Sequence, residues 1–172
     1  MRCLVVCESM YGNTMEVARA IALGARSVLE TDTVEVGEAP SKIDSDVSLI
    51  LVGGPTHAFG MTRPSTREDA KEGKYAEEFT GEFVSTGHGI REWLDTVSIP
   101  KGTSFATFDT RIVKPHVPGS AAAGAAKRLR KMKLRQAMDP ESFWVEGATG
   151  PLTEGELERA ERWGAKVAAA IG

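Results

Sequence analysis

A short apolar run, Leu4-Val5-Val6, leads into Ser9-Met10-Tyr11-Gly12-Asn13-Thr14, and that turn opens a segment patterned as a helix. A strand, a tight hydroxyl-rich turn and a helix start, in that order, make a site for a phosphate. The first amides of a helix have no partner within it, and the helix dipole favours an anion there. Ser9 and Thr14 add hydroxyl donors, and Gly12 lets the backbone approach closely. The turn contains no Lys, which separates it from the Walker pattern of nucleoside-triphosphate enzymes.

The rest of the chain repeats the alternation. Residues 2–8 read as a buried strand and 13–28 as a helix, with Met15, Ala18, Ala22 and Ala25 in one stripe beside Val17 and Ile21. Thr33 to Val36 reads as a short alternating strand, residues 40–44 as a turn or short helix, and Val47 to Val52 as a second continuous apolar strand ending at Gly53-Gly54-Pro55. About residues 53–86 form the longest irregular region, and a loop of that length in a compact domain is often functional. Ser65-Thr66-Arg67-Glu68 fits a capping box and predicts a short helix there. Residues 88–97 read as an amphipathic helix, Ser104 to Phe108 as a fourth strand, Ser120 to Lys133 as a helix, and Phe143 to Val145 as a fifth strand. A second capping box, Thr153 to Glu156, opens a last helix running to about Ile171. Strands alternating with helices predict a parallel sheet covered on both faces.

Length sets one domain over residues 1–172 as the default, with room for a sizeable core. A net charge of −3 predicts neither nucleic-acid binding nor strong attraction to membranes. No apolar run has the length of a membrane span, and the N-terminal run is too short for a secretory signal, so a cytoplasmic protein is expected. Cys3 and Cys7 lie four residues apart in the first strand. Extended chain separates them by roughly 13 Å, too far for a mutual disulfide, and both point to one face as buried thiols. His57, His88 and His116 are scattered without metal-ligand spacing, so no metal site is expected.

The turn at Ser9, Tyr11, Gly12, Asn13 and Thr14 resembles the FMN-phosphate loop of flavodoxins, which reads roughly Ser/Thr-x-Thr/Tyr-Gly-Asn-Thr after the first strand. The resemblance, with the chain length, implies a three-layer α/β sandwich with a five-stranded parallel sheet in flavodoxin-like order 2-1-3-4-5. Ligands of such folds bind beyond the carboxyl ends of the strands, at the switch point. Three loops then carry the expected FMN contacts: Ser9 to Thr14 with Met10 included; Pro55, Thr56, His57, Phe59 and Gly60 after the third strand; and Phe108, Asp109, Thr110 and Arg111 after the fourth. In the second loop, the resemblance implies that Thr56 hydrogen-bonds the polar edge of the ring. It makes His57 or Phe59 the stacking face and Gly60 the place where a peptide turns over on reduction. The third loop departs from the family pattern, since no Tyr occurs between residues 76 and 172 to give a second stacking contact. It also places a cation, Arg111, where the family has carboxylates.

Each residue has a plainer reading beside the functional one. His57 and His88 are read as loop and surface residues, and His116 as an exposed-loop residue within possible reach of a ligand. Trp93, Trp144 and Trp163 are read as core residues. Phe108 is either the last buried strand residue or the first to face the flavin. The basic run Lys127, Arg128, Arg130, Lys131, Lys133 and Arg135 reads as a solvated helix face or a docking patch, opposed by acidic residues between Glu68 and Glu82.

The implied activity is electron transfer through non-covalently bound FMN with a redox partner protein, with no catalytic residues of the chain's own. Arg111 and His57 near the ring predict a reduction potential less negative than that of strongly acidic flavodoxins. Two alternatives stand beside it. One is an FMN-dependent reductase or oxidase of the quinone reductase or protoporphyrinogen oxidase type, with residues 61–86 shaping a substrate pocket. The other is a module that kept the fold and lost the flavin. A phosphoacceptor receiver shares the topology but needs an acidic pair after strand 1, which Glu8-Ser9 does not supply.

Overall fold

In a computed structural model, residues 1–113 and 118–171 are described. The elements follow in the order β1 (Arg2–Cys7), α1 (Asn13–Ala25), β2 (Glu30–Glu35), a 3-10 turn (Val36–Glu38), β3 (Val47–Pro55), α2 (Pro64–Glu72), α3 (Lys74–Glu78), α4 (Ile90–Thr96), β4 (Ser104–Ile112), α5 (Ala121–Lys131), β5 (Arg135–Gln136), β6 (Glu141–Val145) and α6 (Glu156–Ala169). The strands pair in parallel in the order β2-β1-β3-β4-β5, and β6 also lies on β4. The expected order holds.

The fifth position of the sheet is one interrupted edge. β5 pairs with Ser104 and Phe105, while β6 pairs with Phe108 to Ile112. Pro140 lies between them, and proline has no N–H to give a ladder. β4 is longer than its sequence pattern predicts, because β3 holds it as far as Thr110 on one side and β6 as far as Ile112 on the other. Pairing on both edges outweighs the weak strand propensity of Asp109 and Arg111. What reads as a loop after the fourth strand, Phe108 to Arg111, is therefore strand.

Alternate residues of β1 enter two cores, which is why its apolar run is unbroken. Cys3, Val5 and Cys7 pack under α1 and α6 with Leu49, Leu51, Phe108, Phe143 and Trp163. Leu4 and Val6 pack on the other face with Ile50, Val52, Phe105, Trp93 and Leu129. Burial pushes the Cys3 thiol up to about 12 and holds the Cys7 thiol well above its ordinary value, so both are inert, free thiols.

Both capping boxes are displaced. The first sits two residues earlier than its sequence pattern: Arg63 N–H donates to Thr66 Oγ1 at 2.9 Å, and Pro64 takes the first helical position. At the second, Gly155 precedes α6 in the left-handed region, and the Glu156 carboxylate turns to the Trp144 N–H at 2.7 Å instead of capping its own helix. Trp93 and Trp163 are buried, whereas Trp144 is half-buried at the sheet edge. His88 is exposed, and His116 lies outside the described residues. Most of the basic run is a solvated face of α5 and the turn after it, with Arg128 paired to Asp95. Among the described residues, no helix is long and apolar enough to cross a membrane.

Candidate functional site

Where β1, β3 and β4 end, a cavity of about 540 Å3 opens between the three loops and the α2–α3 segment. Of the residues expected to meet the ligand, Ser9, Met10, Tyr11, Asn13, Thr14, Pro55, Thr56, His57, Thr110 and Arg111 line it. Gly12, Phe59, Gly60, Phe108 and Asp109 do not.

The turn between β1 and α1 is shaped by its own groups. Gly12 sits at φ 97, a left-handed conformation that glycine adopts at least cost. Its amide donates to Ser9 Oγ at 3.1 Å, so the Ser9 hydroxyl accepts from the turn and keeps its own hydrogen to donate. α1 carries no side-chain cap among the described residues, and its first amides face the turn. The Thr14 hydroxyl meets the Thr110 hydroxyl at 2.7 Å. Two hydroxyls sharing one hydrogen bond leave one hydrogen for a ligand. The Asn13 side chain lies against Gly150, where an added Cβ would stand 2.6 Å from Asn13 Oδ1.

The second loop is less available than expected. The Thr56 hydroxyl donates to Asp109 Oδ2 at 3.2 Å and accepts from the Ala121 amide at 2.9 Å, so it serves the start of α5. Asp109 Oδ2 also accepts from the Ala122 amide at 2.9 Å. Burial pushes the Asp109 carboxyl above its usual range, against the pull of that amide. The fully buried Phe108 packs edge-on against Trp163, 6.3 Å between centroids, so it is the last core residue of β4 and not a flavin-facing one. Phe59 is 60% exposed and is not among the residues that line the cavity. The Gly60 peptide is tied into a tight hairpin with His57, through hydrogen bonds of 2.9 and 3.1 Å. His57 remains on the wall. Burial pulls its imidazole below the usual histidine value, a backbone hydrogen bond at Thr66 works the other way, and Arg67 adds to the lowering.

The fourth wall falls within residues 61–86, which the sequence offered only as the pocket of the enzyme alternative and without naming residues. Thr66, Asp69, Ala70, Gly73, Lys74 and Tyr75 reach the cavity from α2 and α3. Tyr75 is 51% exposed and supplies an aromatic face that the loop after β4 lacks. The signal was the unusual length of the irregular region that carries it. A buried network pins this segment to the sheet. Glu8 accepts hydrogen bonds from the Thr62 hydroxyl and from the Ile90 amide at 2.8 Å. Arg67, 6% exposed, donates to Thr62 and forms a two-pronged pair with Glu92. From the other side, the Tyr11 hydroxyl donates to the Ala70 carbonyl at 2.7 Å and its ring packs on Phe79 at 5.0 Å and Phe83 at 5.9 Å. Cations outnumber anions on the lining, Lys74 and Arg111 against Asp69. The Arg111 guanidinium lies 5.7 Å from the Trp144 ring centroid.

This arrangement is that of a doubly wound α/β protein with a cavity at its topological switch point. The chain has the flavodoxin-like fold: it is similar to a flavodoxin from the domain Archaea, with a TM-score of 0.66 at 20% identity over 99% of both chains. It is similar also to oxidised flavodoxin 1 from Bacillus cereus, with a TM-score of 0.70 at 16% identity over 100% of both chains. Against the rubredoxin oxygen:oxidoreductase of Desulfovibrio gigas the TM-score is 0.61 at 17% identity, with 99% of this chain covering 36% of that one. No protein-family model matches the chain, and no curated protein matches its sequence.

Proposed function

We propose that the chain binds FMN non-covalently and passes electrons between redox partners. The observation that carries this reading is the uncapped start of α1 opening on a cavity beside the Ser9 hydroxyl and the Thr14–Thr110 pair. That donor set suits a phosphate dianion. The cavity, about 540 Å3, falls within the roughly 300–1,000 Å3 of small-molecule sites.

Bound FMN would supply one- and two-electron chemistry, and the chain's part is to hold and tune it. The Ser9–Thr14 turn binds the phosphate. His57 and Tyr75 offer flat faces for the ring on the wall and the cover. Arg111 puts a positive charge on the same lining. The cover formed by α2 and α3 limits the access of water.

The test is direct. Titrating the purified chain with FMN should give a yellow complex with quenched flavin fluorescence, and a chain that leaves the fluorescence unchanged at millimolar FMN refutes the reading.

A second reading, an FMN-dependent reductase, draws support from the cover. Thr66, Asp69, Lys74 and Tyr75 extend the cavity wall beyond the three loops, as a substrate pocket requires. Turnover of NAD(P)H with a quinone by the flavin-loaded protein would favour it over a carrier.

A further inference from the structure

The phosphate turn is held from behind by a segment far away in sequence. Ser85 is fully buried and lies outside the cavity lining. Its amide donates to the Ser9 carbonyl at 2.7 Å, and its Oγ accepts from the Ser9 amide at 2.9 Å. Next to it, the Val84 amide donates to the Met10 carbonyl at 3.1 Å. The Ser85 hydroxyl gives its one hydrogen to Glu35 Oε1 at 2.6 Å, which turns its lone pairs toward Ser9. Glu35 is itself fixed, since its Oε2 accepts from the Gly37 amide at 2.7 Å.

These contacts leave Ser9 a single free function. Both of its peptide groups are occupied by Ser85, and its hydroxyl oxygen accepts from Gly12. Only the hydroxyl hydrogen remains to be directed into the cavity.

We infer that Ser85, steadied by Glu35, is a positioning residue for the phosphate cradle, acting through Ser9 without touching the ligand. The inference rests on the flavin reading above. It implies that the segment from Met61 to Ser85 does two things: its middle lines the cavity, and its end fixes the geometry of the turn across from it.

A phosphate-specific role separates from a general loss of packing by comparing FMN with riboflavin, which lacks the phosphate. Dissociation constants for both, from fluorescence quenching, are measured on the wild type, Ser85→Ala, Glu35→Ala and Glu35→Gln. In Ser85→Ala and Glu35→Ala the FMN constant should rise roughly three- to tenfold, the size of one lost neutral hydrogen bond. Riboflavin binding should stay unchanged. Glu35→Gln keeps a carbonyl oxygen for the Ser85 hydroxyl but loses the acceptor for the Gly37 amide, and should weaken FMN binding less than Glu35→Ala does. Equal weakening of both ligands, or no change in either, overturns the inference and leaves the flavin reading standing. A wild-type chain that binds neither ligand overturns both. Should Ser85→Ala fail to fold, the Glu35 pair carries the same comparison.

Discussion

Thr14 and Thr110, 96 positions apart in sequence, join hydroxyls at 2.7 Å on the floor of the cavity, one from the first turn of α1 and one from β4. Both are nearly buried, at 2% and 5% exposure. The pair fastens the phosphate turn to the sheet and leaves one hydrogen to give. Thr14→Ala should therefore weaken FMN binding roughly tenfold or more, as expected for a hydrogen bond to a charged group of about 1.5–3 kcal/mol. It should also lower apo stability by about 1–3 kcal/mol, because Thr110 is left unpaired. FMN titration and urea unfolding read the two effects separately, and unchanged affinity would contradict the assigned role.

Tyr75 stands on the cavity wall with half its surface open. If its ring lies along the flavin, Tyr75→Ala should raise the FMN dissociation constant roughly three- to tenfold, in line with about 0.5–1.5 kcal/mol for an aromatic contact. Tyr75→Phe should restore binding. Riboflavin should show the same loss, which distinguishes this residue from the phosphate turn.

Arg111 places its charge where the isoalloxazine edge is expected. A cation there stabilises the anionic reduced ring, so Arg111→Gln should make the flavin couple more negative. About 1 kcal/mol of lost interaction corresponds to roughly 20 mV for a two-electron couple. Redox titration of the FMN complex measures it, and an unchanged or less negative couple would place Arg111 away from the ring.

Glu8 carries the pH dependence of the cover. Burial holds its carboxyl above the usual 4.5, against the lowering effect of the Thr62 and Ile90 hydrogen bonds. Below 4.5 the group is protonated in both folded and unfolded chains, and its contribution is fully present. As pH rises from 4.5 through the raised value, the folded chain binds more protons than the unfolded one, so stability is lost. Glu8→Gln does not titrate. Its stability relative to wild type should therefore grow with pH across that window, as read by urea unfolding at several pH values. A difference that stays flat between pH 4.5 and 8 would mean that the carboxyl is not shifted.

α1 and α6 meet backbone to backbone. A Cβ added at Gly24 would stand 1.9 Å from the Glu161 carbonyl, and one at Gly164 would stand 2.0 Å from that of Ile21. Gly24→Ala and Gly164→Ala should each destabilise by about 1–3 kcal/mol or more, as overpacking does. Gly124→Ala on α5 meets only the end of Met61, at 3.4 Å. It should be neutral or stabilising by up to about 1 kcal/mol through helix propensity. Thermal unfolding of the three variants checks the contrast.

The tight turn between β1 and α1 was legible in the chain because it is local. Gly12, the hydroxyls and the helix start lie within a few residues, and their geometry follows from nearest-neighbour sterics and hydrogen bonding. The alternation of buried strands and amphipathic helices, and with it the layering, was legible for the same reason. Tertiary pairing decided the rest. β3 and β6 extended β4 through polar residues and carried Phe108 into the core. The first amide of α5 found its partner in the Thr56 hydroxyl. Tyr75 reaches the cavity only because a buried cluster of Glu8, Thr62, Arg67 and Glu92 anchors its segment to the sheet. Sequence patterns report spacing along the chain, whereas these contacts depend on which distant groups need a partner once water has been excluded.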